Sequence, residues 1–448
     1  MVIYISYIET SLKYFLETNT KFSRKLIWAL GVIKYAAALA NRDLGLLEEE
    51  LALAIADASL QVASGCCDEK IQVDVLQTGS GTGLNMAVNE LIAGLATRIL
   101  GRRVHSNNHV NLGQSSNDVI PSAIRIAALS SAKIVLEELE KLIISLKEKA
   151  EIYEKVIKPG RTHLRDALPV TLGMELDAYA DSLEMHTEFL RKAISFISRL
   201  PLGGTAVGTG LNTDPKYPSI ALHYIREATG LQELIIATRK NTYMMFLADI
   251  LHLSSTYKSI MVTLYRLSQD FRIMYSGPVT GYNEIDIEIE LPGSSMMPGK
   301  KNPVTLEALQ QAYALVSGLE ASMEKASILG EFELSMGIPL AGYVIDRQAT
   351  IVAEALRKAR INVVEAFRPR VDKMRKAALK SPALLTTILA PIIGYDEAAR
   401  LVESIEKNEK LPEQFKKLLE ILSKTPLEDF VKPGYTFNKP KKNQQEIV

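Results

Sequence analysis

The sequence predicts an all-α protein whose centre is an elongated bundle of long helices, and three observations lead there. Apolar residues recur at helical spacing through most of the chain, and little in its first part favours strands. From Pro121 onward the helical runs become very long, broadly 115–155, 168–199, 233–275, 303–335 and 339–367, each amphipathic and nearly free of interior proline. A run of about 35 residues makes a rod of roughly 50 Å, and such rods bury their apolar faces only by packing side by side.

The elements follow in order. Leu26, Leu30, Ile33, Ala37 and Ala40 form one helical stripe, ending before Gly45. Leu47, Leu51, Ala54 and Ala58 form a second, ending at Gly65, and a third runs from Leu84 to Leu100 until Gly101 stops it. Together they predict an N-terminal helical domain over 1–113. The long runs predict a central bundle domain over 114–367, interrupted by a loop at 292–303. Several runs are apolar over more than one face, as in N-T-Y-M-M-F-L-A-D-I-L-H-L, which predicts burial by other copies of the chain. Arg368-Pro369 opens a small C-terminal helical domain, 368–448, with an I-I-G-Y-D turn at 392–396 and a polar tail, N-K-P-K-K-N-Q-Q-E-I-V, expected to fray.

Composition narrows the function classes. A chain of 448 residues exceeds the roughly 250–300 at which single cores stop growing. Its 52 basic and 52 acidic side chains cancel, leaving no net field for nucleic acid or an anionic membrane. Cys66 and Cys67 are the only cysteines, and adjacent residues are poorly placed for a strain-free disulfide or a metal knuckle. The opening M-V-I-Y-I-S-Y-I-E-T is apolar but too short to span a bilayer and lacks a basic start. A reduced, cytoplasmic metabolic protein is expected.

Polar clusters stand out against this apolar background. P-G-S-S-M-M-P-G-K-K-N-P-V-T-L-E, from Pro292 to Glu307, carries three prolines and two glycines by Pro303, which excludes a continuous helix or strand. The loop holds a hydroxyl pair, Ser294 and Ser295, a cation, Lys300, and an amide, Asn302. Asn302-Pro303 reads as the N-cap and first position of the next helix, whose free N–H groups suit an anion. A phosphate-loop reading fails, because the glycine spacing is one residue too long and Lys301 stands where Ser or Thr should be.

In Q-T-G-S-G-T-G-L-N-M, Gln77 to Met86, the hydroxyls of Ser80 and Thr82 either cap a turn or donate to a carboxylate. G-R-R-V-H-S-N-N-H-V-N-L-G-Q-S-S-N-D, Gly101 to Asp118, sets His105 and His109 four apart, yet no carboxylate or thiolate completes a shell, and no metal is predicted. Ser115, Ser116 and Asn117 precede a long helix with Pro121 in its first turn; capping explains one of these side chains but not three. K-P-G-R-T-H-L-R-D-A-L-P-V-T-L-G, Lys158 to Gly173, places Thr162 and His163 in a Gly/Pro-bounded turn between arginines, where a neutral imidazole both donates and accepts. His186, His223 and His252 fall inside helical patterns and read as structural or surface residues. L-G-G-T-A-V-G-T-G-L-N-T, Leu202 to Thr213, follows no buried strand, so it reads as a bend that brings backbone near a site rather than a dinucleotide loop.

G-S-S-M-M-P-G-K-K-N-P resembles the signature loop of the fumarase/aspartase superfamily, enzymes that add to or eliminate across the double bond of fumarate. Q-T-G-S-G-T, G-R-T-H-L-x-D-A, G-G-T-A-V-G-T-G-L-N and the glycine of M-P-G-K-K-N-P are similar to class II fumarase wordings, whereas aspartases tend to carry alanine before that lysine. The resemblance runs from about Leu12 to Tyr435. It implies a three-domain homotetramer with a twenty-helix core, active sites built from three subunits each, and reversible, stereospecific hydration of fumarate to L-malate through an aci-carboxylate, without a cofactor.

Residue by residue, Ser294 matches the base that removes the proton from carbon 3 of malate. Lys300, Asn302, Ser80, Thr82, Ser115, Ser116, Asn117 and Thr162 match carboxylate ligands, and Ser295 joins the substrate-binding set. His163 matches the holder of the water or leaving hydroxyl, and Glu307 matches its carboxylate partner. The family's second anion site, H-P-N-D, departs here to His105-Ser106-Asn107-Asn108 with Arg102 retained, which loosens the turn and removes an acid. Three rivals share the scaffold: an aspartate ammonia-lyase, an argininosuccinate or adenylosuccinate lyase, whose substrates need a larger pocket, and a catalytically inactive structural homologue of the kind used in the eye lens.

Overall fold

The computed structural model describes residues 13–288, 291, 293–407 and 431. The apolar opening segment, Pro292 and the polar tail lie outside the described residues.

The first three helices are α1 (Arg24–Asp43), α2 (Glu49–Ser64) and α3 (Thr82–Leu100). Ser23 caps α1 by accepting from the Leu26 amide at 3.2 Å. Gly65 and Gly101, at φ of 95° and 74°, end α2 and α3 in the left-handed conformation that the sequence's glycine stops anticipate. Gly31 lets α1 and α2 touch backbone to backbone: a Cβ there would sit 2.7 Å from the Ala63 nitrogen.

Then come α4 (Ser116–Ile152), β1 (Ile157–Thr162), β2 (Arg165–Thr171), α5 (Leu172–Ile197) and β3 (Arg199–Leu200). After α6 (Tyr217–Thr229), β4 (Ile235–Ile236) and α7 (Lys240–Met245), the chain runs through α8 (Ala248–Tyr275), β5 (Ile285–Ile287), α9 (Val304–Ile328), β6 (Gly330–Glu331), β7 (Leu334–Ser335) and α10 (Ile338–Ala359). It closes with β8 (Phe367–Pro369), α11 (Val371–Leu379), α12 (Pro382–Ile393) and α13 (Tyr395–Glu406). The fold is all-α, with strands confined to four two-stranded pairs among the described residues. Four of the five long runs appear as single helices close to their expected bounds.

The fifth run does not. Residues 233–275 are broken twice, because the Ile235 and Ala237 amides bond the Ser198 and Leu200 carbonyls, both at 2.8 Å, beyond the end of α5. The parallel pairing of Arg199–Leu200 with Ile235–Ile236 takes these residues out of the helix. A second break falls at Phe246, which is extended at φ −126° and ψ 148° between α7 and α8. The sequence also gave no sign of the hairpin β1–β2, and Pro121 lies beyond the first turn of α4.

The chain packs as two compact units. One is the described part of Met1–Leu139 with Met185–Val262 and Gln311–Leu356; the other is Glu140–Glu184, Thr263–Gln310 and the described part of Arg357–Val448. In the first, Arg125 is wholly buried and grips Asp249 through two bonds of 2.8 and 2.9 Å, with the Tyr243 ring 5.1 Å from its guanidinium. In the second, Phe367 packs edge-on against Phe271 at 5.2 Å and against Tyr153 at 5.4 Å. Helix α4 is long and apolar enough to cross a bilayer, yet 78% of its apolar window is buried within the protein, as in a core helix.

Removing Asp249 strands a buried guanidinium. Asp249→Ala is expected to cost about 3–5 kcal/mol, read as a lowered urea midpoint at fixed protein concentration; an unchanged midpoint would show that Arg125 finds another partner.

Candidate active site

In the first unit the turn before α3 and the start of α4 meet. Gly81 is the N-cap of α3, at φ 73°, and offers no side chain; Gln77 Oε1 caps the first turn instead, accepting from the Leu84 amide at 3.0 Å. The hydroxyls of Ser80 and Thr82 therefore remain for other work. They bond each other at 2.7 Å, and Thr82 bonds the Ser116 hydroxyl at 2.8 Å, giving a three-hydroxyl chain across 34 residues of sequence.

The start of α4 divides its polar groups as the sequence suggests. The Ser115 hydroxyl accepts from the Asn117 amide at 3.2 Å, Ser116 turns to Thr82, and the Asn117 side chain donates to the Ala206 carbonyl at 2.8 Å. Capping is completed by Asp118, whose Oδ1 accepts from the Ser115 amide at 2.9 Å. Its Oδ2 accepts from Gly203 and Thr205 at 3.0 and 3.1 Å, so the glycine-rich bend is fastened to the head of α4. Asp118 is fully buried, and burial lifts its carboxyl to about 6 against the pull of those amides and of Lys34. Lys34, also fully buried, donates to Asn111 Oδ1 and Gln114 Oε1, both at 2.9 Å. Desolvation lowers it to about 7, opposed by the charge of Asp118. Sequence reasoning missed both residues. The available signal was a lysine inside an otherwise apolar helical stripe and an acid three positions after Ser115.

Arg102, His105, Ser106, Asn107 and Asn108 close on themselves. Arg102 is ion-paired with Glu48. His105 Nδ1 accepts from the Asn107 and Asn108 amides, both at 3.1 Å, at the head of a single π-helical turn, Ser106–Val110. His109 Nδ1 accepts from the His105 amide at 3.0 Å, and burial, followed by the charges of His105 and Arg102, lowers its pKa. Among the described residues no three metal-ligating side chains converge.

In the second unit, Thr162 and His163 sit exposed at the tip of the β1–β2 hairpin. His163 and Leu164 both take positive φ, 56° and 59°, as a tight two-residue turn requires and as neither residue prefers. Arg161, just before the tip, is held by Glu284 at 3.0 Å and stacks 4.1 Å from the Tyr282 ring.

The described part of the loop before α9 is tied by its own backbone. Gly293 N donates to Lys300 O at 2.9 Å, and Gly293 admits no side chain, since a Cβ would lie 2.3 Å from that oxygen. Asn302 does not cap α9 as expected; its amide donates to Gly293 O at 2.6 Å and cinches the loop instead. Ser294 Oγ accepts from the Met296 and Met297 amides at 3.2 and 3.0 Å. Ser295 and Lys300 are exposed, and Glu307, half-buried, lies in the first turn of α9. Among the described residues, no hydrogen bond or ion pair joins His163 to Glu307 within one chain.

Comparison with known proteins shows the family. Residues 8–318 match the protein family described as Lyase. The class II fumarate hydratase of Saccharolobus solfataricus is 47% identical over 439 residues, covering 96% of this chain and 100% of that protein. The class II fumarate hydratase of Thermus thermophilus is 36% identical over 396 residues, 87% of this chain and 84% of the relative. Among solved structures, the recombinant class II fumarase of Schistosoma mansoni superposes with a TM-score of 0.90 at 31% identity, covering 96% of this chain and 95% of that one. The chain belongs to the lyase family that includes the class II fumarate hydratases.

Proposed function

We propose that the chain is a fumarate hydratase, interconverting fumarate and L-malate, and that Ser294 is its base. The observation that carries the reading is the pair of backbone amides aimed at Ser294 Oγ. A serine hydroxyl is a feeble base, but donors directed at its oxygen stabilise the alkoxide and lower the pKa of the alcohol. The sequence offered only a helix N-terminus and Lys300 for this task.

In the dehydration direction the alkoxide takes the proton from carbon 3 of L-malate. The electron pair left on carbon 3 spreads into the adjacent carboxylate, making it a dianion. The hydroxyl on carbon 2 then leaves with a proton from His163, releasing water and fumarate, and hydration is the reverse. Lys300 and Asn302 meet the dianionic carboxylate, and the benefit lies in binding it more tightly than the ground state. Ser80, Thr82, Ser115, Ser116, Asn117, Thr162 and Ser295 complete the ligand set, and Glu307 orients His163.

The chain acts as a homotetramer in this reading, because His163 and Glu307 find no mutual contact within one copy and neighbouring copies supply it. The cytoplasm is the proposed compartment for the adjacent free thiols Cys66 and Cys67. Arg102, His105, Asn107 and Asn108 are already engaged within the chain, which weighs against a second anion site there.

Fumarate absorbance should rise with L-malate and not with L-aspartate; the opposite pattern would make the chain an ammonia-lyase, and silence with both an inactive homologue. Ser294→Ala should reduce kcat about 10²–10⁴-fold with the oligomer intact, and near-normal turnover would remove it as the base. His163→Asn should lower kcat about 10²-fold or more with little change in KM, whereas lost assembly would make the histidine structural.

A further inference from the structure

We propose that Asp118 and Lys34 are positioning residues for the carboxylate-binding end of this site, holding Ser116 against Thr82 and Asn117 against the Ala206 carbonyl. The inference rests on the hydratase reading above.

Neither residue contacts the hydroxyl chain. Asp118 acts through backbone, accepting from Ser115 on one oxygen and from Gly203 and Thr205 on the other. One carboxylate thus joins the head of α4 to the bend whose Ala206 carbonyl holds the Asn117 amide. Thr205, a β-branched residue, has positive φ, 56°, so the bend keeps a disfavoured conformation there while its amides face Asp118.

Lys34 works from the other side. Its two acceptors, Asn111 and Gln114, lie in the segment leading to Ser115, and Asn111 Oδ1 also receives Asn85 and Asn89 of α3 at 3.2 and 3.1 Å. Asn111 Nδ2 then donates to the Gln114 carbonyl at 3.1 Å, which makes the approach to α4 rigid. The helix carrying Thr82 and the loop carrying Ser116 are referenced to one buried ammonium. Burying both charges is costly, and an apolar pair would pack the same space more cheaply. What an apolar pair cannot do is fix five backbone and amide groups in register.

The test is a KM-against-kcat split with a coupling measurement on the intact oligomer. Asp118→Asn should raise KM for fumarate about 10-fold or more while kcat changes less than about 3-fold, with oligomeric state and melting temperature near wild type. Ser116→Ala should raise KM too, and the double variant should be far less than additive, since Asp118 acts through Ser116 and its neighbours. Lys34→Met is the second variant and should show the same split. Wild-type KM in both Asp118→Asn and Lys34→Met, full additivity with Ser116→Ala, or lost assembly in both would overturn the proposal. Wild-type KM in Ser116→Ala itself would instead overturn the assignment of the carboxylate ligands.

Discussion

A helix spends its interior backbone on itself, so a protein made of long rods has free backbone donors only at rod ends and in the turns between them. Every candidate residue obeys this constraint. Ser80 and Thr82 lie at the head of α3, Ser115 to Asn117 at the head of α4, Thr162 and His163 on the hairpin between α4 and α5, and Ser294 to Glu307 around the start of α9. Three of these four places are helix N-termini, where the helix dipole favours a bound anion. The dicarboxylate chemistry thus grows from the architecture.

The same constraint explains how much could be read from the residues alone. Glycine stops at Gly65 and Gly101 and the long apolar periodicities gave the helices, because both are local signals. The clusters of hydroxyls, amides and one imidazole gave the candidate site, because such groups are conspicuous in an apolar chain. What escaped was tertiary. Residues 235–237 look helical until carbonyls beyond α5 claim them, and Asn302 looks like a cap until Gly293 O lies within reach. Asp118 closed a motif without announcing that it would bind two segments at once.

The role proposed for Ser294 illustrates a broader point about weak bases. Among the described residues its hydrogen-bond partners are two peptide N–H groups, placed by a loop that Gly293 allows to fold on itself. Peptide dipoles do not titrate, so support from this source holds at any pH at which the loop is folded.

Arg125 and Asp249 are separated by 124 residues of sequence. A ribosome adding roughly 5–20 residues each second leaves the nascent guanidinium waiting on the order of 10 s for its counterion. Through that interval α4 lacks Asp249, and its apolar window is long enough to cross a bilayer. For that interval a buried guanidinium of the finished protein is an uncompensated charge on an apolar helix, a condition that ends only when α8 is made.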